Sequence, residues 1–167
     1  MKKTILLLIL ISFTSCSFSQ TAEDYFNKGN AKFDIEDFRG AIADYTNAIE
    51  LDPSVAVLYF NRGLAKYQLV DYRGSIADYN KAIELKPDYA NAYQNRGFAK
   101  SGLEDYRGSI ADLTKAIELE PNVARAYLKR GIVKLVLNQK ESGCLDLSKA
   151  GELGSEKAYE AIKKFCN

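Results

Sequence analysis

The sequence contains no histidine and no tryptophan. Without histidine there is no ordinary general base near neutral pH, no common zinc ligand and no Ser-His or Cys-His dyad. Carboxylate or lysine catalysis stays open on composition alone. Charge of one sign is also lacking: 23 basic against 22 acidic residues give a formal charge of +1, so no strong field points at nucleic acid or anionic lipid. Disorder is disfavoured, because 47% of the residues are hydrophobic. Long apolar runs are absent except for Ile5 to Phe13, about nine residues, too short to cross a hydrocarbon core of roughly 30 Å.

That run follows Lys2 and Lys3 and precedes small residues, the pattern of an export signal. Two processing routes are open. Ser17 and Ser19 suit signal-peptidase cleavage before Gln20, giving a signal over residues 1–19. Phe13-Thr14-Ser15-Cys16 instead resembles a bacterial lipobox with Cys16 as the lipidated residue, although Phe13 stands where leucine is preferred. Either route exports the chain, to the periplasm, to an outer-membrane lipid anchor or beyond the cell. The only membrane contact expected is an anchor at Cys16. Removing Lys2 and Lys3 leaves 21 basic against 22 acidic residues.

What is abundant is repetition. Asp-Tyr-Arg-Gly-Ser-Ile-Ala-Asp occurs at Asp71–Asp78 and Asp105–Asp112, with a near-copy at Asp37–Asp44, always 34 residues apart. Four copies follow, over 22–55, 56–89, 90–123 and 124–157. Glycine recurs at Gly29, Gly63, Gly97 and Gly131, alanine at Ala48, Ala82, Ala116 and Ala150, and proline at Pro53, Pro87 and Pro121. Each copy reads as two helices. In the second, Ala56 to Val70 has a 3.6-residue period, Asp71 caps a helix over Tyr72 to Leu85, and Pro87 stops that helix and begins the next. Glycine inside a helix costs about 1 kcal/mol relative to alanine, so its recurrence implies close helix–helix approach.

Tyr59, Gly63, Tyr67, Ser75, Tyr79, Ala82 and Pro87, with their counterparts in the other copies, resemble the tetratricopeptide repeat. The resemblance covers Ala22 to about Lys157. It implies an all-α fold: a right-handed α-solenoid of four antiparallel helix pairs. The fourth copy drifts at Gly143, Cys144 and Gly151, and a helix over 156–166 is expected to cap the open end.

Repeated positions become ladders. The resemblance places Asn27, Asn61, Asn95 and Lys129 on a concave groove that takes extended peptides. Asn30, Phe60, Leu64, Gln94, Phe98 and Ile132 lie around them, a mixed apolar and polar strip. The alternative is that the aromatics pack against neighbouring repeats and the asparagines are merely solvated. Some family members clamp C-terminal carboxylates with asparagines and cations. Asn95, Arg125 and Lys129 match the later half of that clamp, whereas Phe60 and Leu64 are apolar where the earlier half needs a cation and an asparagine. Solvated charges near a terminus are the competing reading of Arg125 and Lys129.

A basic ladder, Lys28, Arg62, Arg96 and Arg130, with Lys32, Lys66, Lys100 and Lys134 one turn on, faces an acidic one, Asp44, Asp78, Asp112 and Asp146. Cross-helix pairing is expected rather than nucleic-acid binding, each exposed pair contributing roughly 0–1 kcal/mol. With Cys16 lost or lipidated, Cys144 and Cys166 form a pair in an oxidising compartment. If the chain turns near Gly154 they reach similar height on antiparallel helices, and a disulfide results. The alternative for Cys144 is a small buried apolar residue, since Ile42, Ile76 and Ile110 hold its position. No catalytic residues, cofactor or metal site are expected. The leading expectation is a non-catalytic exported module that binds a protein or peptide. The alternative is a structural subunit or spacer in an envelope assembly.

Overall fold

The computed structural model describes residues 20–166; the proposed export signal and Cys16 lie outside them. Among the described residues there are nine helices and no strand: α1 (Ala22–Asp34), α2 (Phe38–Leu51), α3 (Ala56–Gln68), α4 (Tyr72–Leu85), α5 (Ala90–Gly102), α6 (Tyr106–Leu119), α7 (Ala124–Val136), α8 (Lys140–Glu152) and α9 (Glu156–Phe165). Successive helices pack as antiparallel neighbours in a right-handed α-solenoid of four pairs, and α9 closes the end. The odd helices also touch one another, α3 with α5, α5 with α7 and α7 with α9. The layer whose members meet is the inner one, and the even helices form the outer layer.

The tight turn inside each repeat follows from two linked devices. At the end of α1, Asp37 N–H donates to Lys32 O and Glu36 N–H to Phe33 O, a Schellman pair that satisfies two orphan carbonyls. The next residue to act is Asp37 itself, whose carboxylate accepts from Gly40 N–H at 2.9 Å and caps α2. The same two devices recur at Asp71 and Asp105. This geometry requires one left-handed residue per turn, and Glu36, Val70, Glu104 and Asn138 adopt φ of 62°, 63°, 62° and 58°. The periodic pattern carries the third helix to Val70, but the structure ends it at Gln68 and puts Val70 in the turn.

Proline also acts differently from expectation. It does not open the following helix: α5 starts at Ala90, three residues after Pro87. It acts on the residue before it, which its ring excludes from helical backbone. Asp52, Lys86 and Glu120 all leave the helical region, with φ of −140°, −137° and −133°.

The core runs between the layers. Tyr45, Tyr79, Leu113 and Leu147 stand at one repeat position and are at most 1% exposed. The recurring glycines face them: a Cβ on Gly63 would lie 2.7 Å from the Tyr79 ring. At the fourth repeat the backbones come closer still. A Cβ on Gly143 would lie 3.0 Å from Gly131 O, which accounts for the fourth copy's change to glycine at 143.

Candidate functional site

The inner face carries the predicted asparagine ladder and, beside it, Asn30, but these side chains do different work. Asn30 Oδ1 accepts from the Tyr45 hydroxyl at 2.8 Å and from Asn61 Nδ2 at 3.1 Å. The two asparagines therefore serve each other and a buried tyrosine, whose pKa burial pushes up to about 12. With Phe33, Asp34 and Leu64 they line a hollow of about 390 Å³. Asn27 is exposed. Asn95 Nδ2 donates to Asn91 O one turn back at 2.8 Å.

Two of the predicted groove residues are buried. Gln94 is 7% exposed and Phe98 4%. Phe60 packs on Tyr79 and Tyr89, with ring centroids 5.9 and 4.9 Å apart, so much of its surface serves the junction between repeats.

The C-terminal half of the inner face is different. Arg125 lies over the Phe98 ring, 4.7 Å from its centroid, a cation–π contact. Arg125, Lys129 and Ile132 join Phe98, Tyr67 and Leu128 around a hollow of about 200 Å³. Neither cation forms an ion pair among the described residues. Burial holds the Lys129 ammonium below its ordinary pKa. Tyr67 was not among the predicted site residues. Its signal was spacing, since it continues the face of Phe60 and Leu64 one turn further, as Leu128 continues Arg125.

The other cations of the odd helices are largely committed. Arg96 donates through Nε and an Nη to both oxygens of Asp112, at 2.8 and 2.6 Å, and through its other Nη to Asn80 of the preceding repeat at 2.7 Å. Lys100 adds a contact to Asp112 at 2.8 Å. Arg62 and Lys66 hold Asp78 in the same way, and Arg130 and Lys134 hold Asp146. These carboxylates are only 4–8% exposed, so the pairs are far less exposed than the sequence suggested. In the first repeat Lys32 alone reaches Asp44, at 2.6 Å, and Lys28 lies over the Tyr25 ring instead.

At the end of the stack, Cys144 in α8 and Cys166 after α9 are bonded, with Cα atoms 5.8 Å apart. The turn between the two helices passes through Gly154, with φ of 90°. Among the described residues no group of three or more His, Cys, Asp or Glu side chains is placed to hold a metal. No helix there is long and apolar enough to cross a membrane.

Fold and inner face together define a helical-repeat scaffold of the kind that generally recognises other proteins rather than catalysing a reaction. Sequence profiles of the tetratricopeptide repeat match residues 29–70, 71–102 and 90–123. The chain belongs to that family. Among solved structures it resembles the first TPR of Spaghetti (RPAP3) bound to the HSP90 peptide SRMEEVD, at 32% identity, covering 72% of this chain and 95% of that one, with a TM-score of 0.70. It also resembles the crystal structure of MamA, at 25% identity over 83% of this chain and 81% of that one, with a TM-score of 0.77. The second TPR domain of human RPAP3, in complex with the HSP70 peptide SGPTIEEVD, is 28% identical over 68% of this chain and 94% of that one, with a TM-score of 0.66. No curated protein matches the sequence.

Proposed function

We propose that the protein is an exported, non-catalytic interaction module that holds a protein or peptide along its inner face. The observation that carries this reading is the pair Arg125 and Lys129. They stand one turn apart, without a carboxylate partner among the described residues, beside an apolar hollow. Lys129, kept partly out of water without a counter-ion among the described residues, favours an incoming anion, and exposed Arg125 adds a second positive charge beside it. The segment recognised is therefore one with an acidic group, a side chain or a terminal carboxylate, next to an apolar side chain that fills the space between Tyr67, Phe98 and Ile132. Likeness to TPR domains solved with acidic peptides supports the reading. Export rests on the pattern of the first nineteen residues.

The test is fluorescence anisotropy with labelled SRMEEVD and a copy whose three acidic residues are alanine. Tighter binding of the acidic peptide is expected, with at least a tenfold loss in Arg125→Ala, Lys129→Ala at unchanged helical content. Equal binding of both peptides would overturn the reading. For export, lipid labelling lost in Cys16→Ser identifies the anchored route, and a mature N-terminus at Gln20 the cleaved one. A cytoplasmic chain with an intact N-terminus overturns both.

A second reading, a scaffold subunit or spacer in an envelope assembly, is favoured by apolar residues exposed outside the inner face. Ile35 and Val70 in the turns are 75% and 64% exposed, and Leu145 on the outer layer 72%.

A further inference from the structure

The last repeat is built less securely than the others. Its second helix, α8, is preceded by Gln139, which makes no side-chain cap, where the first three repeats have a capping aspartate. It carries Gly143 and Gly151 in its interior, which close packing requires but which have lower intrinsic helix propensity than alanine. Beyond it, among the described residues, stands α9, ten residues long and also without a side-chain cap. A helix of that length does not hold in water by itself. Contacts that keep α9 in place include buried Ala158, the Tyr159 hydroxyl donating to Gly151 O at 3.0 Å, and the disulfide. The disulfide joins the first half of α8 to the residue after α9, so it ties the two ends of the pair that the Gly154 turn leaves apart.

This end of the stack supports a wall of the proposed site. Helix α7 carries Arg125, Leu128, Lys129 and Ile132, and it packs on both α8 and α9. Its polar hold on α8 is Asp146, which takes Arg130 at 2.6 Å and Lys134 at 2.8 Å. In a stack of nearest-neighbour contacts, loosening an end unit exposes the next one.

We propose that the Cys144–Cys166 bond is a redox latch whose oxidation state sets the order of α7, α8 and α9. The chemistry needs a dithiol. The S–S bond accepts two electrons and two protons and becomes two thiols, and the dithiol leaves as its own disulfide. Both cysteines are partly exposed, so a thiolate can reach them. Release restores the freedom of the chain between residues 144 and 166, a change on the order of a hundredfold in the open-to-closed ratio. That α7 then bears on recognition rests on the inner-face reading above; the latch itself does not.

The test is amide hydrogen exchange, read by mass spectrometry, on the full chain before and after treatment with dithiothreitol. Exchange in α8 and α9 is expected to speed up about a hundredfold on reduction, with α7 at least tenfold faster and α1 to α4 unchanged. A Cys144→Ser, Cys166→Ser variant is expected to show the fast pattern with or without the dithiol. Equal protection of α7 to α9 in both states overturns the latch, and so does acceleration spread evenly over the whole chain. Anisotropy with labelled SRMEEVD on the same samples separates the two readings. No binding to the oxidised protein refutes the acidic-ligand reading, while the exchange pattern still decides the latch.

Discussion

Replacing Asp112 by asparagine keeps the shape of the side chain and removes its charge. In the native protein that carboxylate accepts two hydrogen bonds from Arg96 and one contact from Lys100, and it is 7% exposed. Asparagine leaves two cations facing an amide that can itself donate. Breaking a buried ion pair from one side costs about 3–5 kcal/mol. Arg96 and Lys100 keep 16% and 23% of their surface in water, so they can partly turn outward, and about 2–4 kcal/mol is the better figure here. For a chain of this size each kcal/mol moves the midpoint by about 2–4 °C, so thermal unfolding followed by circular dichroism should fall by roughly 5–15 °C. Glu118→Gln, which breaks the exposed Lys115–Glu118 pair, should change stability by less than about 0.5 kcal/mol. Replacing all three groups, Arg96→Met, Lys100→Met and Asp112→Leu, should recover most of the loss, because no charge is then left unpaired. The reasoning is refuted if Asp112→Asn shifts the midpoint no more than Glu118→Gln does.

Lys28→Arg supplies the guanidinium that the later repeats have at this position and should stabilise the first repeat by about 1 kcal/mol through new bonds to Asp44, read by urea unfolding. Val70→Asn relieves a β-branched residue at φ 63° that is 64% exposed and buries little. A gain of about 1 kcal/mol is expected, seen as a midpoint rise of a few degrees. Tyr45→Phe removes the donor to Asn30 and should cost about 1 kcal/mol, whereas Tyr79→Phe, whose hydroxyl is buried without a partner, should be neutral or stabilising in the same assay. Binding of labelled SRMEEVD should weaken as pH rises through the depressed pKa of Lys129, because an anion raises that pKa and so binds with proton uptake. Lys129→Arg should flatten this pH profile.

The repeat, its caps and its small residues were legible because they obey local rules. Asp37, Asp71 and Asp105 cap helices wherever they occur, and glycine opposite a buried ring needs only the period to be recognised. The pairing of basic and acidic ladders was legible too, but its depth was not. Burial of Asp78, Asp112 and Asp146 comes from the packing of helix on helix, where each arginine also reaches Thr46, Asn80 or Thr114 of the preceding repeat, which is a tertiary fact. Position in a ladder also failed to say how a side chain is used. Asn27, Asn61 and Asn95 hold one repeat position, yet Asn61 bonds to Asn30 of the preceding repeat and Asn95 to its own helix. Gln94 follows the face of Phe60 by spacing, but it is buried at 7% exposure.

Those differences sort the molecule into two halves. In the first two repeats the polar groups of the inner face satisfy one another: Tyr45 needs an acceptor, Asn30 provides it, and Asn61 shares it. In the next pair the same positions hold Tyr79, Leu64 and Asn95, and the network is gone. Leucine cannot accept, and Asn95 has turned to Asn91, so the Tyr79 hydroxyl is left alone. One step further the ladder changes from asparagine to Lys129, and Arg125 joins it without a carboxylate. What the repeats share explains how the stack holds together. Where they stop sharing, between α3 and α7, polar groups go unpaired, and unpaired groups have the most to gain from a ligand. On the proposed reading the inner face is a support at its N-terminal half and a receptor at its C-terminal half, where α7 packs on the disulfide-bonded α8 and α9.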